Sequence, residues 1–242
     1  SVYGINFLSS RIFWMHIHLV SIFPEIFESF LGTSLIKKAQ EKGVLSFSCY
    51  NPREFSTDPH QQIDDSVYWG WDGMLIKAQP IIDTVEFVIK DNQMKKSDFS
   101  ILFPTPTEQL FNQKIAHGLS KKEHLIFICW RYEWIDYRAE QYFWDRYPDA
   151  FRKYSIGPFI TLWGEGPSLL MIEAITRLIP GVIKEKGSWI HESYSPRDNM
   201  SNIEAPNYTR PIEVYGMKVP EVLLNGDEEE IAQWKEEHSI DL

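Results

Sequence analysis

Short apolar runs alternate with amphipathic runs along the first three quarters of the chain. Strand-like runs occupy residues 16–23, 44–50, 100–103, 124–129 and 159–162. Helical periodicity occupies residues 24–42, 74–91, 107–120 and 167–179. This alternation predicts an α/β fold with a mostly parallel sheet covered by helices on both faces.

The periodic pattern stops after Ile179, and this change predicts how the chain is organised. The predicted parts are an upstream or non-native extension (1–14), the α/β domain (15–183), a flexible linker (184–206) and a helical C-terminal region (207–242). The extension precedes Met15 and lacks the features of a signal peptide. The C-terminal region ends in one charged helix, 227–238, which is too little for a core of its own.

Composition limits the classes of function. The net charge of −10 argues against a general polyanion binder, although it leaves room for a local basic patch. Cys49 and Cys129 lie far apart in apolar runs, so we expect reduced thiols and a cytoplasmic protein. We expect no membrane partner, since no apolar run approaches the ~18 residues needed to span a bilayer.

Three loops follow predicted strands and carry the residues best suited to a ligand site. They are FPTPTE (103–108), WRYEWID (130–136) and SIGPFITLWGEGP (155–167). Each combines turn residues with charged or polar groups. Because ligands of parallel sheets bind at the carboxyl ends of the strands, we expect the site here.

Longer motifs stand in one order along the chain. They are SIFPEIF (21–27), NPREF (51–55), HQQIDD (60–65), YWGWDGM (68–74), CWRYEWID (129–136), SIGPFITLWGE (155–165), RLIPGV (177–182), APNYTRP (205–211) and VPEVLLNGD (219–227). In these motifs the chain resembles the bacterial tRNA (guanine-N1)-methyltransferases, the TrmD family of the SPOUT superfamily. The resemblance covers residues 15–242. The family usually continues with a basic helical tail, so the C-terminal region is expected to be truncated.

The resemblance implies a C-terminal deep trefoil knot in the α/β domain and a homodimer with active sites at the subunit interface. It implies methyl transfer from S-adenosyl-L-methionine to N1 of guanosine 37 in tRNA. The residues implied in cofactor binding are Pro104, Pro106, Trp130, Tyr132, Glu133, Ile156, Gly157, Phe159, Ile160, Thr161, Trp163, Gly164 and Pro167.

The resemblance also implies the catalytic residues. Arg177 would stabilise the guanine as N1 loses its proton. The general base is Glu192 or Asp198, because the linker carries both acids near the position of the family's aspartate. The implied substrate-binding residues are Asp64, Tyr68, Gly70 and Glu204. His60 has no second ligand at metal spacing, and we predict no metal site.

Five tryptophans, at positions 69, 71, 130, 134 and 163, stand where the family has glycine. Returning them to glycine would change 13 glycines and 9 tryptophans to 18 and 4, close to ordinary usage. Some uncultured bacterial lineages read the codon UGA as glycine, and translation with a table that reads UGA as tryptophan would explain the pattern. In the alternative the tryptophans are real, and the chain is a catalytically inactive SPOUT-fold dimer that binds RNA.

The codon hypothesis is tested on the gene itself. We expect UGA at all five of these positions and UGG at Trp14, Trp144, Trp189 and Trp234, which have no glycine counterpart. Sequencing the gene decides between the two readings. UGG at the five positions would make the tryptophans real.

Overall fold

The computed structural model describes residues 15–68, 73–130, 134–183, 192–195 and 201–241, without the side chains of Thr107 and Asp241. The chain forms two compact units, Ser1–Lys184 and Glu185–Leu242. Among the described residues, no helix is long and apolar enough to cross a membrane.

Strands and helices alternate through the first unit. In chain order they are β1 (Met15–Val20), α1 (Glu28–Leu31), α2 (Ser34–Glu41), β2 (Leu45–Tyr50), β3 (Asp64–Ser66), β4 (Met74–Ile76), α3 (Ala78–Asp91), β5 (Phe99–Leu110), α4 (Gln113–Leu119), β6 (His124–Ile128), β7 (Trp134–Ile135), α5 (Tyr137–Arg146), β8 (Phe151–Ser155) and α6 (Glu165–Thr176). The main sheet has the order β2-β1-β6-β5-β8, and all of its pairs are parallel. A small sheet has the order β3-β4-β7. The predicted α/β class with a mostly parallel sheet is confirmed.

Both faces of the main sheet are buried. Phe127 of β6 lies in a core with Met171 of α6, whereas its neighbour Ile126 lies in a second core with Val85 of α3 and Phe143 of α5. Alternate side chains of a strand point to opposite faces, which is why one apolar run supplies both cores. Each fully buried side chain of this size contributes roughly 1.5–3 kcal/mol relative to exposure.

Two predicted helices divide where local chemistry favours a break. The predicted helix 24–42 is a 3₁₀ turn, Pro24–Phe27, followed by α1 and α2. Gly32 and Thr33 separate α1 from α2, and both are weak helix formers. The predicted helix 74–91 is the strand β4 followed by α3. Pro80 lies in the first turn of α3, where a backbone N–H has no partner within the helix.

β5 is longer than predicted and shortens the helix that follows it. The run 107–120 was predicted as a helix, but β5 continues to Leu110 after an irregularity between Pro104 and Gln109. Phe111 N donates to Ser155 O at 2.7 Å, which extends the pairing with β8. Asn112 then caps α4 by accepting from Ile115 N at 3.0 Å.

The predicted strand 159–162 is wrong. The strand in this region is β8, and residues 159–162 form a loop in which Ile160 and Leu162 are exposed. Apolar composition alone cannot distinguish a buried strand from an exposed apolar loop. The helix α5 was not predicted, and Asp136 caps it by accepting from Arg138 N at 2.9 Å.

The second unit contains short elements. They are β9 (Asn202–Ile203), β10 (Glu213–Val214), β11 (Met217–Lys218), α7 (Glu228–Glu237) and β12 (Ile240–Asp241), with antiparallel pairs β10-β11 and β12-β9. The predicted terminal helix is present as α7. Asp227 caps it by accepting from Glu229 N at 3.0 Å and Glu230 N at 3.1 Å.

Candidate functional site

A cavity lies at the carboxyl ends of β6 and β8, beside the irregular segment of β5 between Pro104 and Gln109 and the start of α6. The space between its walls, including the part open to solvent, is about 300 Å³. Its lining consists of Pro104, Thr105, Pro106, Trp130, Tyr154, Ser155, Ile156, Gly157, Phe159, Ile160, Thr161 and Pro167. A concave, largely apolar site at this end of a parallel sheet is where such folds bind small molecules.

The loop after β8 is shaped by a hydroxyl and a glycine. Ser155 Oγ accepts from Gly157 N at 3.1 Å and donates to Gly157 O at 3.0 Å. Gly157 has φ of +153°, and a Cβ there would lie 2.5 Å from Cε1 of Phe159. Glycine alone tolerates this backbone without displacing the Phe159 ring, so Gly157 fixes the form of this wall.

A second glycine joins the loop after β6 to the start of α6. Gly164 N donates to Trp130 O at 2.8 Å. A Cβ on Gly164 would lie only 2.8 Å from Trp130 N, so any larger residue would push these two backbones apart. The contact holds one side of the cavity at a fixed width.

The first turn of α6 carries a buried acid. Glu165 is fully buried, and its Oε1 accepts from Ser21 Oγ at 2.6 Å. A carboxylate at this end of a helix is favoured by the helix dipole. The bond also joins α6 to the end of β1, so it positions the helix beside the cavity.

Trp130 occupies space within the cavity. Its side chain is 5% exposed, and its Nε1 donates to Pro104 O at 2.5 Å. Its ring stacks on Trp134 with centroids 5.5 Å apart and planes 5° apart. The indole therefore bridges two of the three loops and takes a carbonyl that a ligand could otherwise use.

Most of the residues implied in cofactor binding surround this one cavity. Those that line it are Pro104, Pro106, Trp130, Ile156, Gly157, Phe159, Ile160, Thr161 and Pro167. Gly164 does not line the cavity but contacts Trp130, which does. The neighbouring residue, Trp163, accepts a hydrogen bond at its carbonyl from Thr161 Oγ1 at 2.9 Å. Tyr132 and Glu133 lie outside the described residues. Their roles in binding stay predictions.

Sequence reasoning missed three lining residues: Thr105, Tyr154 and Ser155. Thr105 lies between the two prolines that were named, so its position in the loop was a usable signal. Tyr154 and Ser155 end β8, and the misplaced strand at 159–162 concealed that they stand at a strand's carboxyl end. All three residues add a hydroxyl group to the lining.

Arg177 lies away from the cavity within its own chain. It follows the last residue of α6, and ten residues separate it from Pro167 at the cavity. At 1.5 Å per residue this is a rise of about 15 Å along the helix. Arg177 and the cavity of the same chain are therefore at opposite ends of α6.

The remaining candidate residues are distributed over both units. Glu192 and Glu204 belong to the second unit, where Glu204 N donates to Ser193 Oγ at 3.1 Å. Asp198 and Gly70 lie outside the described residues. In the first unit, Asp64 begins β3, and Tyr68 follows this strand with 86% of its surface exposed.

Comparison with known proteins gives one consistent family. The family model described as "tRNA (Guanine-1)-methyltransferase TrmD" matches residues 15–241. A protein named tRNA (guanine-N(1)-)-methyltransferase from Carboxydothermus hydrogenoformans is 42% identical over 226 residues, 93% of this chain and 83% of the relative. Proteins of the same name from Clostridioides difficile and Bacillus subtilis are 39% and 38% identical, again over 93% of this chain, and over 93% and 88% of their own lengths.

Proposed function

Because the chain belongs to the tRNA (guanine-N1)-methyltransferase TrmD family, we propose that it transfers a methyl group to N1 of guanosine 37 in tRNA. It is an enzyme of this kind, a methyltransferase that modifies tRNA. The observation that best supports the site is the convergence of three loops on one cavity at the carboxyl end of the parallel sheet. S-adenosyl-L-methionine is the cofactor that this proposal assigns to the cavity.

The lining suits this cofactor except at one residue. Most side chains of the lining are apolar, as in sites that exclude water, and Thr105, Ser155 and Thr161 add hydroxyl groups to it. When bound, S-adenosyl-L-methionine supplies a methyl group on a positively charged sulfur. Trp130 narrows the space in which it would lie and already bonds the Pro104 carbonyl.

The chemistry at guanine sets the roles of the other residues. N1 of neutral guanine carries a proton, so a base must remove it before the N1 lone pair can form a bond to carbon. A carboxylate, Glu192 or Asp198, takes that proton. Negative charge then spreads to O6, where the guanidinium of Arg177 donates hydrogen bonds and stabilises it.

A second chain completes the proposed site. Since Arg177 is about 15 Å along α6 from the cavity, the arginine and the cofactor that act together come from different protomers in the proposal. Exposed apolar side chains beside the cavity favour a covered face: Phe159, Ile160, Leu162 and Leu170. A two-fold dimer would bury them, and the trefoil knot and cytoplasmic location belong to the same proposal.

One observation favours a second candidate function. The Trp130 indole fills part of the cavity and satisfies its own N–H there, as expected if the cavity no longer takes a ligand. In that case the chain is an inactive RNA-binding dimer. Ligand binding by the chain as written and by its glycine form distinguishes the two.

The first prediction concerns cofactor binding. Replacing the five tryptophans at 69, 71, 130, 134 and 163 by glycine removes the Trp130 indole from the cavity. We expect calorimetry to detect S-adenosyl-L-methionine binding by this variant and none by the chain as written. Trp144→Ala, which changes a half-exposed indole on α5, is the control and should not bind. If neither the written chain nor the glycine form binds, the proposed function fails for this chain.

The second prediction concerns Arg177. In the glycine form, Arg177→Ala should lower kcat by about 10²–10³-fold, because it removes a donor aimed at charge that develops on guanine O6. KM for S-adenosyl-L-methionine should stay within about twofold, because Arg177 bonds the guanine and not the cofactor in the proposal. Arg146→Ala, an exposed arginine 4.0 Å from Glu86, is the matched control. An equal loss of kcat in Arg177→Ala and Arg146→Ala would contradict a catalytic role of Arg177.

The third prediction identifies the base. Glu192→Gln and Asp198→Asn are compared in the glycine form, by methylation of a tRNA with G36 and G37. We expect one of the two to lose roughly 10²-fold or more in kcat while S-adenosyl-L-methionine binding is retained, because the amide cannot take a proton. Glu236→Gln, which changes an exposed acid of the same unit with no assigned role, serves as the control. If all three retain full activity, another group is the base.

A further inference from the structure

Three histidines cluster at the amino ends of two neighbouring strands. His16 and His18 lie in β1, and His124 begins β6, where it pairs in register with His16. They share the face of the sheet that carries α3, because they alternate with Ile17 and Leu19 of the opposite core. The cavity lies at the carboxyl ends of these strands, so this cluster is at the other edge of the sheet.

The ring nitrogens converge to metal-binding distances. One ring nitrogen from each histidine lies within 4.8 Å of the other two. His18 Nε2 and His124 Nδ1 are 3.1 Å apart. Two nitrogens bound to one tetrahedral zinc ion at 2.0–2.1 Å would be about 3.3 Å apart, so this pair requires almost no movement. The ring of His16 stacks on that of His18 with centroids 4.1 Å apart, and a side-chain rotation of His16 would bring its nitrogen to the other two.

Hydroxyl groups surround the cluster in positions that orient imidazole rings. Ser48 Oγ lies 2.8 Å from His16 Nε2, and Tyr50 Oη lies 3.4 Å from His18 Nδ1. Partners of this kind on the outer nitrogen fix the ring orientation and tautomer of metal-bound histidines. They come from β2, so three adjacent strands contribute to the cluster.

Ser46 provides a separate observation that points to a ligand. It pairs in register with His16, and its Oγ is buried with no hydrogen-bond partner among the described residues. Buried hydroxyls are rarely left without a partner. This hydroxyl therefore has room for a partner such as water on the β2 side of the cluster.

The surroundings of the cluster favour neutral imidazole rings, and acids stand nearby. Burial lowers the pKa of His16 to about 4 and that of His18 well below its usual value, with further lowering from the neighbouring histidines. Burial also lowers the pKa of His124, against the opposing effect of Glu123 and Asp98. Neutral imidazole is the form that binds metals, and the two acids offset part of a cation's charge.

We propose that His16, His18 and His124 form a zinc site that ties β1 to β6 at the amino edge of the sheet. A water molecule completes a tetrahedral set of ligands. The site is separate from the methyl-transfer cavity and does not depend on which residue stands at position 130. Its effect is to stabilise the folded chain, because the ion binds the assembled strands and not the unfolded chain.

Zinc content and thermal stability test the proposal on the untagged, full-length chain as written. We expect one zinc ion per chain after dialysis against zinc and removal of the unbound metal. The melting temperature should rise by about 5–10 °C when free zinc is a hundred times its Kd. Cobalt in place of zinc should give the intense visible absorption of a tetrahedral site, an independent readout of the geometry.

Variants separate this site from surface binding. His124→Gln and His16→Gln should lose the zinc and its thermal shift while retaining the far-ultraviolet circular dichroism of the folded protein. His117→Gln removes a histidine outside the cluster and should keep both. The proposal is overturned if the chain as written binds no zinc, or if His124→Gln and His16→Gln bind it as fully as His117→Gln does.

Discussion

Burial of the main sheet on both faces confines most of the polar chemistry of the first unit to the two edges where strands begin and end. β6 shows this most directly: Leu125 and Phe127 lie in one core, and Ile126 and Ile128 lie in the other. A central parallel strand buried on both faces has little room for an unpaired polar side chain. The irregular segment within β5 and the loops after β6 and β8 therefore carry the groups that can meet a ligand.

The sequence predicted the fold class because hydrophobic periodicity reports burial directly. It placed most of the strands of the main sheet, but not their ends, since the run 159–162 is as apolar as a strand although Ile160 and Leu162 are exposed. The extension of β5 to Leu110 depends on pairing with β8, a contact between distant residues that local pattern does not encode. Pro80 lies in the first turn of α3 and not in the middle of one long helix. In the first turn a proline removes no hydrogen bond of the helix.

The candidate site was predictable as a set of loops and not as a shape. Turn residues after predicted strands identified the loops, the resemblance named residues within them, and the structure brings most of the described residues implied in cofactor binding around one cavity. What it could not foresee is the position of the Trp130 indole, because that depends on the close approach of Gly164 and the carbonyl of Pro104. A glycine at 130 would keep the backbone contact with Gly164 and leave the indole's volume open. The same loop thus supports either a cofactor or a packed aromatic ring, and one residue decides between them.

The histidines of β1 show how the same alternation that builds the core can also build a site. In the run HIHLVSIF, the residues facing one core are apolar, whereas His16 and His18 face the other way and meet His124 across the strand pair. Along the sequence, no second histidine or cysteine stands near His60 at the spacing typical of metal ligands. Ligands on parallel neighbours are more than a hundred residues apart in sequence but only one strand spacing apart in space. The parallel register of the strands brings them together, and local sequence does not specify that register. The register of β1 with β2 likewise places the hydroxyls of Ser46, Ser48 and Tyr50 on the next strand beside the histidines of β1. For this reason the cluster is a property of the folded sheet.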